Sequence, residues 1–141
     1  MKIKSTAIGF APATIVAMSS PAQATSILLG ITGNGAKTPE TLFELSTANA
    51  SATFFMTLGN GDDGEAIAFN PDDGLLYHAS GISDGDRFWE SINVNTKTIV
   101  SSVQYTSSGD PGDIDDETVA MTYDLSTGRF LVADRDEEYS V

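Results

Sequence analysis

Gly64 to Gly81 (GEAIAFNPDDGLLYHASG) realigns without a gap on Thr118 to Arg135 (TVAMTYDLSTGRFLVADR), an offset of 54 positions (118 minus 64). In that register Ala66 falls on Ala120, Phe69 on Tyr123, Asn70 on Asp124, Gly74 on Gly128, Leu76 on Phe130 and Ala79 on Ala133, so strand, turn and strand recur in one order. A unit of this size cannot bury both faces of its own sheet. It needs copies of itself stacked against it, either along a line or around an axis.

Gly-, Asn- and Asp-rich punctuation divides the chain into short β-branched and aromatic runs, and no stretch carries a 3.6-residue apolar period. The expected class is all-β. The predicted strands are Ile27–Thr32, Thr41–Leu45, Ala52–Leu58, Glu65–Asn70, Leu75–Ser80, Arg87–Ile92, Thr98–Tyr105, Thr118–Tyr123, Arg129–Asp134 and a last one beginning at Glu138–Val141. Asn70-Pro71-Asp72-Asp73-Gly74 and Asp124-Leu125-Ser126-Thr127-Gly128 each start on an Asx residue and end on a glycine able to take positive φ, which is turn chemistry. Asn93–Lys97 and Ser46–Ser51 read as the matching turns of the next hairpins.

The first 24 residues read as a secretion signal: Lys2 and Lys4, an apolar run from Ala7 to Met18, and the small-x-small end Pro21-Ala22-Gln23-Ala24. The run is short for a bilayer and is interrupted by Pro12, so no membrane span is expected. Cleavage after Ala24 removes two lysines and no acid, taking the formal charge from −13 to −15 over 117 residues (141 minus 24). Such a chain lacks the basic surface that nucleic acid or anionic lipid requires, and it favours a cation or a basic protein or polymer as partner. With no cysteine there is no disulfide, no thiolate metal site and no thiol nucleophile.

The strand pairs Ala66–Tyr77 and Ala120–Leu131, with Phe88–Asn93 and Leu42–Leu45, resemble the blade repeats of secreted bacterial β-propellers of the NHL, YVTN and lactonase-like superfamily. The resemblance covers nearly all of residues 27–138 and is specific for the repeat class rather than for one member of it. It implies a partial β-propeller of consecutive four-stranded antiparallel blades. A partial blade would occupy residues 27–58, a complete blade 65–105 and a partial blade 118–141. Propellers close with four to eight blades, so this chain is expected to be about two and a half blades of a larger ring. A bare blade face leaves ~500 Å² of apolar surface in water, a loss of about 12 kcal/mol. Further blades or self-association are therefore expected at the open edges.

In an up-and-down blade with strands a to d, the b–c and d–a connections leave by one end. That rule gathers Asp62, Asp63, Glu65, Asp84, Asp86, Asp110, Asp113, Asp115, Asp116, Glu117, Asp134, Asp136, Glu137 and Glu138 on a single face, 14 of the 20 acids. Crowded carboxylates interleaved with glycine are hard oxygen donors of the kind Ca²⁺ takes. The candidate metal ligands are Asp110, Asp113, Asp115, Asp116 and Glu117 in the longest loop, with Asp62 and Asp63 in its neighbour. Their spacing is not that of the helix–loop–helix calcium motif. A solvated acidic loop is the competing reading.

Catalytic candidates are poorer. Gly81-Ile82-Ser83-Asp84-Gly85 spells a nucleophile-elbow string, but an elbow joins a strand to a helix, and here another strand follows. His78, the only histidine, alternates with Tyr77 and Ala79 and reads as a packed residue between sheets; Trp89, Phe88 and Phe43 read as filling between blades. The expected function is therefore a secreted acidic binding module taking Ca²⁺ or a basic partner on one loop face. The alternatives are a metal-dependent propeller hydrolase of lactonase or phosphatase type, as the resemblance allows, and a spacer or display element.

Overall fold

The computed structural model describes residues 26–33, 36–38, 40–59, 64–80, 87–105 and 118–134. Among the described residues nine strands are formed: β1 (Leu29–Ile31), β2 (Thr41–Leu45), β3 (Ala52–Thr57), β4 (Gly64–Asn70), β5 (Leu75–Ser80), β6 (Phe88–Asn93), β7 (Thr98–Gln104), β8 (Thr118–Asp124) and β9 (Arg129–Asp134). They make three antiparallel sheets, β1-β2-β3, β4-β5-β6-β7 and β8-β9, each running through space in chain order. The protein is all-β. The leader and the strand expected from Glu138 lie outside the described residues.

The turns explain the tight hairpins. In 70–74 the Gly74 N–H donates to the Asn70 carbonyl and in 124–128 the Gly128 N–H donates to that of Asp124, both at 2.9 Å. The first side chain of each turn caps it, with Asp72 N–H donating to Asn70 Oδ1 at 2.9 Å and Ser126 N–H to Asp124 Oδ1 at 2.8 Å. Gly74 and Gly128 sit at φ 75° and 68°, a left-handed region that glycine enters without steric cost. The two hairpins lacking glycine use the same bend. Ala50 and Lys97 hold φ 57° and 55° at the corresponding place, and Asn93 Oδ1 accepts from Asn95 and Thr96 as Asn70 does from Asp72.

The four-stranded sheet lies between the other two. Its Leu76/Ile92 face meets the first sheet, where Leu42, Phe55, Met56, Leu58, Leu76 and Ile92 form the buried apolar cluster, flanked by Leu29, Ile31, Ile67, Val94 and Ile99. Lys97 Nζ stands 4.3 Å from the Phe55 ring centre across the same boundary, a favourable cation–π placement. The opposite face, carrying Tyr77, Ala79 and Trp89, meets the third sheet, whose Phe130 ring centre is 4.6 Å from that of Tyr77 and 5.2 Å from that of Trp89. One boundary is aliphatic and the other aromatic, and alternation along β5 assigns each side chain to one of them.

Candidate functional site

Strand register sorts the connections by end. Gly64 pairs with Ser80, Ser80 with Phe88, and Phe88 with Gln104, which puts the ends of β4 to β7 in one row; Asn70, Leu75, Asn93 and Thr98 form the row opposite. In the third sheet Thr118 pairs with Asp134 at one end and Asp124 with Arg129 at the other. Tyr123 donates to Asp72 Oδ2 across the sheet boundary, and Tyr105 and Thr118 hydroxyls lie 3.3 Å apart at the far end. Like ends of these two sheets are therefore side by side. The acid-bearing segments 81–86 and 106–117 are anchored at the end opposite the tight turns.

Asp62, Asp63, Asp110, Asp113, Asp115, Asp116 and Glu117 all lie outside the described residues, as do Asp84, Asp86, Asp136, Glu137 and Glu138. Among the described residues no group of three or more His, Asp or Glu side chains could hold a metal ion. What the structure does show is the base on which those segments stand. Arg87 is 3 % exposed, and its carbonyl accepts the Tyr105 N–H at 3.1 Å. Arg87 is thus a buried basic residue directly before β6, next to the segment 81–86 in the chain. The elbow string of 81–85 also lies outside the described residues, and the element that follows β5 is the strand β6, not a helix.

Behind the rim runs a polar row that sequence reasoning found only in part. His78 of β5 pairs with Glu90 of β6, and Glu90 with Ser102 of β7, so the three side chains share a face. His78 Nδ1 is 3.2 Å from Glu90 Oε2. Ser102 Oγ donates to Oε1 at 2.8 Å, and the backbone N–H of Gly59, arriving from the first sheet, donates to Oε2 at 3.4 Å. His78 and Glu90 are both 0 % exposed, and His78 Nε2 finds no partner among the described residues. Neither group reaches water in this arrangement. The row joins two sheets through the Glu90 carboxyl group, and at its β7 end Ser102 is exposed. Glu90 could have been suspected as the one acid on an apolar-facing position of β6, opposite the only histidine.

The turn end carries its own carboxylates. Asp73 Oδ2 accepts from Tyr77 Oη at 2.8 Å and from Asn70 Nδ2 at 3.0 Å, while Asp72 accepts from Tyr123 at 2.5 Å. The hydrogen bond to Asp72, with smaller contributions from burial and from the charges of Asp72 and Asp73, pushes the Tyr123 phenol up to about 12 from an ordinary 10.0. Tyr77 is raised by the same means through Asp73. Asp124 is lowered, by the Thr127 hydroxyl first and then by Ser126. A raised phenol contributes stability that is complete below pH 10 and is lost as pH climbs through the folded value; a lowered carboxyl contributes above its ordinary range and loses that as pH falls. In an ultraviolet titration of the four tyrosines, one phenol is expected to ionise near pH 12. Asp72→Ala should return it to about 10, and Tyr123→Phe should remove that step. A parent titration with no step above about pH 11 would contradict the contact.

No helix among the described residues is long and apolar enough to cross a membrane. No protein-family model, curated protein or solved structure matches this chain.

Proposed function

We propose that this is an exported, acidic binding module of propeller-like construction, whose loop end takes a cation, Ca²⁺ foremost, or a basic protein or polymer. The observation that carries this reading is the polarity of the sheets. In support, the described strand ends that adjoin segments 81–86 and 106–117 lie opposite the tight turns, and the sequence puts 14 of the 20 acids in or beside connections of that kind. The donors available there are all oxygens, which suits a hard cation and no soft one.

The repeat from Gly64 and from Thr118, each forming a strand, an Asx-capped turn and a strand, supports the blade reading.

Calorimetric titration of the chain with CaCl₂ at low ionic strength tests the proposal. Heat of binding is expected, reduced at least about tenfold in affinity when Asp113, Asp115 and Asp116 are replaced by alanine together. No heat with Ca²⁺, and no retention on a polylysine surface, would reject both forms of the reading.

A further inference from the structure

We propose that the chain associates with copies of itself head to tail, the outer face of the third sheet of one copy receiving the outer face of the first sheet of the next. The proposal goes beyond the binding reading and rests on different residues.

The repeat supplies the first half. Ala66 and Ala79 of the middle sheet are 5 % and 0 % exposed because the third sheet covers the face they share with Tyr77. Their equivalents Ala120 and Ala133 pair with each other in the same way but are exposed. Leu131, which takes the place of Tyr77, is 57 % exposed. The same kind of surface is thus built twice and covered once.

The other half lies on the first sheet. Leu42 and Met56 point to the middle sheet, so Phe43, Phe54 and Leu45 point away from it. Phe54 is 60 % and Leu28 50 % exposed, with Phe43 and Phe54 edge to face at 6.5 Å. Within the stack the third sheet offers Phe130 to the middle-sheet face that bears Tyr77 and Ala79, while at the other boundary the middle sheet offers Leu76 and Ile92 to Leu42, Met56 and Leu58. The first sheet's Phe43/Phe54 face is of the offering kind, and the third sheet's Ala120/Leu131/Ala133 face is of the receiving kind.

Because the two faces differ, the contact is heterologous, and repetition of it gives rings if the rotation closes. About 500 Å² a side is near the lower bound for a specific interface. Association is therefore expected to be weak and to depend on concentration. The acidic charge opposes it, so added salt should strengthen it.

Sedimentation velocity of the chain in EDTA, from about 5 to about 500 µM and with up to about 0.5 M NaCl, reads the outcome. Sedimentation coefficients are expected to rise with concentration and with salt. Leu131→Asp and Phe54→Asp should each be monomeric. Mixed in equal amounts they should form a dimer and nothing larger, since each retains the one face that the other has lost. Far-ultraviolet dichroism shows that each variant is folded, and Ala120→Asp stands in if Leu131→Asp is not.

A parent that stays monomeric throughout overturns the proposal, whatever else covers these faces. Single variants that still associate, or a mixture that stays monomeric, overturn it too. The presence of EDTA keeps the result separate from cation binding at the loop end.

Discussion

Replacement of Glu90 by alanine is expected to lower the unfolding free energy by about 3 kcal/mol. The carboxylate is 0 % exposed and is met by His78 Nδ1, the Ser102 hydroxyl and the Gly59 N–H. Truncation leaves the buried imidazole without its partner and removes a tie between the first and middle sheets. Against a total of about 5–15 kcal/mol for a domain, that is a large share. Urea unfolding at neutral pH should show a lower midpoint with an unchanged slope.

Glu90→Gln keeps one carbonyl acceptor and should cost about 1 kcal/mol. Replacing His78 and Glu90 together by leucine should cost less than the two single changes summed, because neither partner is then left unpaired. An alanine variant within about 0.5 kcal/mol of the parent would show that the row contributes nothing to stability.

Phe130→Ala should cost about 2–4 kcal/mol, and unlike the first substitution it should act on one part of the molecule. A two-stranded sheet is not stable by itself in water. β8 and β9 therefore depend on the face they lay on the middle sheet. Phe130 touches Tyr77, Trp89 and Tyr123 there, at ring distances of 4.6, 5.2 and 5.0 Å, and Tyr123 to Asp72 and Tyr105 to Thr118 are polar ties across the same boundary.

Losing the ring should release β8–β9 while the other two sheets persist. Hydrogen exchange would then show faster amides in 118–134 with little change in 75–104. Trp89 is the only tryptophan, and its emission should move to longer wavelength as water reaches it. Leu131→Ala, one residue along and on the opposite face, should change stability by less than about 0.5 kcal/mol. Equal effects at 130 and 131 would mean that the assignment of faces is wrong.

All nine strands were legible in the linear pattern, with boundaries within two residues of those observed, because β-branched runs and Asx-to-glycine turns are local chemistry. The packed role of His78 was legible as well, from its alternation with Tyr77 and Ala79 and its place among apolar neighbours. Glu90 was not. Its place on β6 opposite the only histidine could raise the suspicion, but its partners come from β5, from β7 and from Gly59 on another sheet, and register and sheet packing are what show its carboxyl group to be inside. Nor was the bond between Tyr123 and Asp72, residues 51 apart, foreseeable from the turns that each adjoins. Ala50 and Lys97 show a third limit: both take the bend that glycine takes elsewhere, since the neighbouring strands impose the turn whatever residue fills it.

Where strands begin, where they turn, and the excess of acids over bases in the segments between hairpins follow from the linear order alone, since each of these depends on residues a few positions apart. The tertiary structure alone decided which face of each sheet is dry, which boundary is aliphatic and which aromatic, and which repeat-related alanines are covered. Burial is a property of what lies opposite, and for Ala79 and Ala133 the same residue type meets a neighbouring sheet in one case and water in the other.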